Sequence, residues 1–319
     1  MNKSERSRFV AGHLKECIDK NVARFRKANK RRFEELKESK DFQRLYAIMN
    51  DAFHDSVSIM DEWETKNIKE LGGIAPVEYF ESLHTFADIL YLITLLEEKN
   101  AGALPPGLGA RIERLDDSLA EDVLHALDSI QLGSDKCFTY EQMAIVRIAE
   151  IIASPQFLSA LLSIINQLDN EKSNEETILA VMDAVEALED VAIESVTDLL
   201  EKLEKKGALY SRLVLVMANI ASENKSERIY RLLKECFRNS EVKLVEARAL
   251  AVYGDGRAIP AIRGYVERHI AELTREEYCQ FNTDVSELGG DMSDLDEYFM
   301  NFEYDDDDDY EYDDDDDDY

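Results

Sequence analysis

Apolar residues recur through the middle of the chain in two interlocked registers. Four segments follow the spacing i, i+3, i+6, i+7: Leu158/Leu161/Ile164/Ile165, Ile193/Val196/Leu199/Leu200, Ile229/Leu232/Glu235/Cys236 and Ile259/Ile262/Tyr265/Val266, at steps of 35, 36 and 30 residues. Each follows a segment at i, i+3, i+7: Ile145/Ile148/Ile152, Ile178/Val181/Val185, Leu213/Val216/Ile220 and Leu244/Ala247/Ala251, at steps of 33, 35 and 31. Both spacings place apolar side chains on one face of a helix with 3.6 residues per turn. Two registers advancing together predict a helical hairpin repeated four times over residues 139–272. One such hairpin has an apolar stripe on each helix and cannot hide both alone, so the units must stack.

Polar punctuation falls between these segments. Ser154-Pro155 opens one second helix, Ser173 and Asn174 stand before a first helix, and Gly207 breaks the chain after Lys205 and Lys206. Ser154, Ser173 and Ser226 are candidate N-caps, because a hydroxyl can accept from an orphaned backbone N–H of the first turn. Gly254 and Gly256 flank the last turn.

The stretch Ala247-Arg248-Ala249-Leu250-Ala251-Val252-Tyr253-Gly254-Asp255-Gly256-Arg257-Ala258-Ile259-Pro260-Ala261-Ile262 resembles the "A-x-x-A-L … G-D-x-R-A-I-P-x-L" signature of the PBS-lyase type of HEAT repeat. The resemblance implies that small residues let two helices approach and that Gly254, Asp255 and Arg257 form the reversing turn. Ile259 and Pro260 would start the second helix, with Pro in its first turn. It implies an α-solenoid of HEAT/ARM-like helical hairpins, and it fades upstream. Residues 219–229 keep the spacing without Gly or Pro, and residues 139–206 keep only periodicity.

Residues 74–132 read as a degenerate first repeat. A short helix begins at Ala75-Pro76 and continues through Leu83, Phe86 and Leu90; Leu104-Pro105-Pro106-Gly107 makes a loop before Leu119/Val123/Leu127/Ile130. Residues 4–70 read as one or two long helices, with little Gly or Pro until Leu71-Gly72-Gly73. There Val10, Leu14, Ile18, Val22 and Phe25 form a stripe beside a basic patch of Arg24, Arg26, Lys27, Lys30, Arg31 and Arg32. The expected domains are thus a basic N-terminal helical cap (1–73), a helical array (74–290) and an acidic tail (291–319).

Composition supports the all-α class, since 13 Gly and 5 Pro among 319 residues are too few for the turns of a sandwich or barrel. The net charge of −31 is unevenly spread. Residues 1–44 hold 14 Lys/Arg against 7 Asp/Glu, whereas residues 291–319 hold 17 Asp/Glu and no base. Asp305 to Tyr319 carries twelve acids broken only by Tyr310, Tyr312 and Tyr319, and self-repulsion predicts disorder there. A cytoplasmic protein is expected, because no apolar run is long enough to span a membrane and the start of the chain is polar. Cys17, Cys137, Cys236 and Cys279 lie far apart, as buried reduced thiols would.

The chain contains none of G-x-x-x-x-G-K-[ST], G-x-G-x-x-G, H-E-x-x-H or G-x-S-x-G. Asp51, His54, Asp55 and Ser58 share a helical face, and His13 and Cys17 stand at i, i+4; neither spacing makes a metal site. Trp63 reads as a packing residue between the N-terminal helices. The expectation is a chain with no catalytic residue, cofactor or metal, which is not an enzyme. It would bind a macromolecule on a concave face lined by second helices. Glu194, Asp198, Glu201, Arg231, Lys234 and Arg263, which alternate with the core stripe, are the candidate contacts. A protein partner is expected first. Nucleic acid is the alternative, through the basic helix or as in alkylation-repair glycosylases, although the many acids of residues 139–206 oppose a phosphate-lined groove. The acidic tail is a candidate ligand for basic proteins or for the chain's own N-terminal helix. The fold itself carries no chemistry, so the family name does not imply a phycobilin lyase.

Overall fold

The computed structural model describes residues 1–39, 42–100, 104–203, 207–240, 243–296 and 298. Among the described residues there are sixteen α-helices, five short 3-10 segments and no strand, apart from an isolated bridge between Ile68 and Ile74. The chain begins with α1 (Lys3–Ala28), α2 (Lys30–Ser39) and α3 (Phe42–Thr65). Asn2 starts α1 with a reciprocal capping box, its side chain accepting from Glu5 N while Asn2 N donates to Glu5. The region expected to hold one or two long helices thus holds three. Asn29 accepts neither role of a strong breaker, yet it closes α1 by donating its N–H to the Phe25 carbonyl.

Gly72 and Gly73 reverse the chain in left-handed backbone (φ +89° and +84°). Beyond them come α4 (Pro76–Glu81), α5 (Phe86–Glu98), α6 (Pro106–Glu113) and α7 (Asp116–Asp128). Two expectations change here. The first helix stops at Glu81, because Thr85 caps a new one by accepting from Asp88 N. The segment expected as loop at Pro106-Gly107 opens α6, since proline suits a first turn whose amide needs no partner.

The repeating region forms α8 (Tyr140–Ile152), α9 (Leu158–Ile165), α10 (Glu175–Glu186), α11 (Ile193–Lys202), α12 (Gly207–Ile220), α13 (Glu227–Asn239), α14 (Lys243–Tyr253), α15 (Ile259–His269) and α16 (Arg275–Glu287). Ser226 caps α13 by accepting from Ile229 N, as expected. Ser154 instead precedes a 3-10 turn and makes no capping bond, and Ser173 accepts from Asp169 N, which leaves Asn174 to cap α10. At the signature, Gly254 takes φ +73°, Asp255 accepts from Arg257 N, and Pro260 lies in the first turn of α15.

Packing runs along the chain in two layers. α5, α8, α10, α12, α14 and α16 each touch the next in that order, and α1 packs on α5. Buried alanines on these helices, among them Ala144, Ala180, Ala218 and Ala247, allow close backbone approach. The second helices cross over: α9 rests on α10, α11 on α12, α13 on α14 and α15 on α16. One apolar core runs continuously from Val10 to Met292. At its N-terminal end Trp63, on α3, is buried and donates from Nε1 to His13 Nδ1 of α1 at 2.9 Å.

At the other end the ordered packing passes the boundary expected at residue 291. Met292 is fully buried, and the Tyr278 hydroxyl lies 3.0 Å from the Met292 carbonyl and 2.6 Å from Asp296 Oδ1. The remainder of the acidic tail, residues 299–319, lies outside the described residues, as does Glu297. No helix among the described residues is long and apolar enough to cross a membrane.

Candidate functional site

Most of the expected contact residues are engaged in ion pairs with side chains outside the expected set. Glu194, Asp198 and Glu201 share the exposed face of α11, where their i, i+4, i+7 spacing gathers them around one guanidinium. Arg228, in the first turn of α13, reaches back to all three at 2.9, 2.8 and 3.0 Å. These bonds hold the Asp198 carboxyl below its ordinary range. Arg231 pairs with Glu227 at 2.9 Å, and Glu227 also receives Arg257 at 2.8 Å. Arg257 pairs in addition with Asp255 and lays its guanidinium over the Tyr230 ring at 4.0 Å, so the signature turn is clamped onto the preceding second helix. Arg263 pairs with Glu267 and, at 2.5 Å, with Asp294 of the segment after α16. Ile259 begins α15 and packs against the core, and the Gly254 carbonyl accepts from Lys225 Nζ at 2.9 Å.

Lys234 is different. It forms no ion pair among the described residues, stands 5.8 Å from the Tyr230 ring centre, and lines a cavity of about 310 Å³. Lys234, Phe237 and Arg238 of α13 form one wall and Lys243 at the start of α14 another; Pro260, Ala261, Tyr265, Arg268 and His269 of α15 close it. The helical period explains the grouping. Residues 234, 237 and 238 lie on one stripe of α13, and residues 261, 265 and 268 on one stripe of α15. Four of the nine lining residues are fixed cations and none is acidic. Glu241, close by in sequence, lies outside the described residues.

The floor is aromatic. Phe237 and Tyr265 meet edge to face at 5.9 Å, and Tyr265 lies 4.5 Å from the His269 ring. Lys243 stands between these rings, its Nζ 5.5 Å from Phe237 and 5.9 Å from Tyr265, and donates to the carbonyls of Phe237 and Arg238 at 2.6 and 2.9 Å. It therefore satisfies the last carbonyls of α13, where the helix dipole is negative. Burial pushes its amine below the usual lysine range, and burial likewise raises the Tyr265 hydroxyl. Arg238 and Arg268 make no ion pair among the described residues and project at the rim, both exposed. His269 is committed at Nδ1 to Glu272, 2.9 Å away.

This site was open to a charge count taken unit by unit rather than at the ends of the chain. Residues 225–275 hold eleven Lys/Arg against seven Asp/Glu, a local +4, while residues 139–206 hold five against fourteen, a local −9. The basic patch of the N-terminal cap is also exposed at Arg24, Arg26, Lys27, Lys30, Arg31 and Arg32. There Arg32 pairs with Asp51 at 2.8 Å and Lys30 with Glu34 at 3.6 Å. The apolar stripe of α1 is buried at Val10 and Leu14 and reaches solvent at Val22.

Two buried carboxylates tie the first-helix layer together. Glu246 of α14 accepts from the Ser211 hydroxyl of α12 at 2.8 Å, and Asp284 of α16 accepts from Arg248 of α14 and from Gln280, both at 3.2 Å. Burial pushes Asp284 up to about 6 although Arg248 pulls it down. Neither side chain borders the cavity.

Among the described residues no group of three or more His, Cys, Asp or Glu is placed to hold a metal ion. The Asp55 side chain, one of the four on the Asp51/His54/Ser58 face, lies outside the described residues. None of the four cysteines is in a disulfide; Cys236 is buried as expected, but Cys279 is exposed and Cys17 and Cys137 are half-buried. No family model, curated protein or solved structure matches the chain.

Proposed function

We propose that the chain is a non-catalytic cytoplasmic recognition module, a HEAT-like α-solenoid whose second-helix layer binds an acidic, aromatic-bearing segment of a protein partner. The cavity between α13 and α15 is its anchor. The observation that carries this reading is the lining: four fixed cations and two aromatic rings without a carboxylate, in a chain of net charge −31. Cations so placed attract carboxylates, and the rings take an aromatic side chain edge-on while Lys243 lies near its face. A volume of about 310 Å³ accepts one large side chain rather than an extended ligand. Affinity then comes from this anchor, with Arg238 and Arg268 as rim charges that steer approach.

The test is fluorescence anisotropy of a labelled peptide of alternating Asp and Tyr with the full chain. Binding that weakens at least about tenfold in the double variant Lys234→Glu/Arg268→Glu supports the reading, because two like charges facing the ligand cost more than about 1.4 kcal/mol. Binding unaffected by that variant refutes it. A second arm uses single-stranded DNA. Retardation lost when Arg24, Arg26 and Lys27 become Glu would instead assign the chain to nucleic acid through the N-terminal cap.

A further inference from the structure

We infer that in the free protein the cavity between α13 and α15 is occupied by the chain's own Asp/Tyr segment, residues 303–319, which a partner must displace. This inference rests on the cavity being a recognition site and names what regulates it. Complementarity is the first ground. The segment offers Tyr304, Tyr310 and Tyr312 each beside aspartates, and no base. The cavity offers rings at Phe237 and Tyr265 below Lys234, Arg238 and Arg268, and no acid among its described lining residues. The second-helix surface just upstream, where Glu194, Asp198 and Glu201 already surround Arg228, would repel the same segment.

Position is the second ground. The chain after α16 is pinned to α15, since Asp294 pairs with Arg263 and the Asp291 carbonyl accepts from the same guanidinium at 2.7 Å. Asp296 is held in turn by the Tyr278 hydroxyl. Arg263 and the cavity residues Ala261, Tyr265 and Arg268 lie on opposite sides of this one helix, whose diameter with side chains is about 10–12 Å. Nine residue-to-residue steps lead from Asp296 to Asp305, and at about 3.3 Å each they span roughly 30 Å, enough to pass around the helix. So short a tether gives an effective concentration near millimolar, high enough to fill a site whose affinity for a free peptide is only micromolar.

Two measurements on the full chain test this. A carbodiimide that condenses carboxylates with lysine amines, followed by mass spectrometry, should join Asp305–Asp318 to Lys234 or Lys243 within one molecule. The yield should be independent of protein concentration and lost at about 0.5 M salt, where screening acts within about 4 Å. Joining to Lys20, Lys27 or Lys30 instead, or between two molecules in proportion to concentration, would overturn the inference. In the second measurement the aspartates of 305–318 are changed to Asn, and the labelled Asp/Tyr peptide should bind at least about tenfold more tightly than to the parent. Equal affinity for both would overturn self-occupation while leaving the recognition reading intact. Failure of both to bind in a way sensitive to Lys234→Glu/Arg268→Glu would remove the recognition reading itself.

Discussion

At the level of single residues, Asp284 and Gly254 show how local physics is spent to hold the repeats together. Asp284 is fully buried, and its carboxyl is raised from 3.8 to about 6, chiefly by loss of water. The folded state therefore binds a proton that the unfolded state releases earlier. Its contribution to stability falls as pH rises from about 4 to about 6 and is level above that. In Asp284→Asn this slope should vanish, so the variant gains on the parent across that window by on the order of 2–3 kcal/mol. Urea denaturation at several pH values checks this; parallel curves would contradict it. At Gly254 the left-handed φ of +73° is needed for the turn, and an added Cβ would lie 3.1 Å from Lys225 Nζ, which donates to the Gly254 carbonyl. Gly254→Ala should cost about 1–2 kcal/mol. The Gly-Asp motif made this position readable in the sequence. Asp284 was not readable, because an acid on a helix face is ordinarily solvated, and only the packing of α14 against α16 buries it.

Elements were most legible where period and caps agreed. All eight periodic segments lie in α8 to α15, one segment per helix, because an apolar stripe that is sealed by stacking must recur with the helix itself. Legibility failed where a boundary had no apolar signature. The break between α1 and α2 falls at Asn29, where no apolar signature marks it, and α6 hid behind its prolines. The pairing of the candidate contacts was hidden for a related reason. Glu194, Asp198 and Glu201 share a face by spacing, but spacing within α11 does not reveal that Arg228 arrives from the next unit. Close approach of the first helices depends on small side chains. Ala247 is fully buried on α14, which packs on α12. Ala247→Leu should overpack that contact and cost about 1–3 kcal/mol. A change below a few tenths of a kcal/mol in denaturant titrations would show that the layers can spread.

For the molecule as a whole, the two ends of the array are closed differently. At the start, α1 and α3 cover α5 and its neighbours with the Trp63–His13 bond between them; at the end, α16 is sealed by residues 291–296. Met292, with no exposed surface, is the plug. Met292→Ala should remove about 2–5 kcal/mol, and the loss should be local. Hydrogen exchange is expected to quicken in α14 to α16 while α5 to α10 keep their protection. Uniform quickening along the chain would mean that the array opens as one unit. The +4 of residues 225–275 is countable in the sequence, but only the fold brings four of its bases around one cavity.

The layered contacts have a mechanical consequence. Each helix of the first layer leans on its immediate neighbours, so a pull on the two ends is borne by junctions in series, and the weakest yields first. Stretched in an optical trap, the chain should lengthen in a staircase, each step releasing one hairpin of 30–36 residues and about 100 Å of contour. Between steps it should behave as a spring.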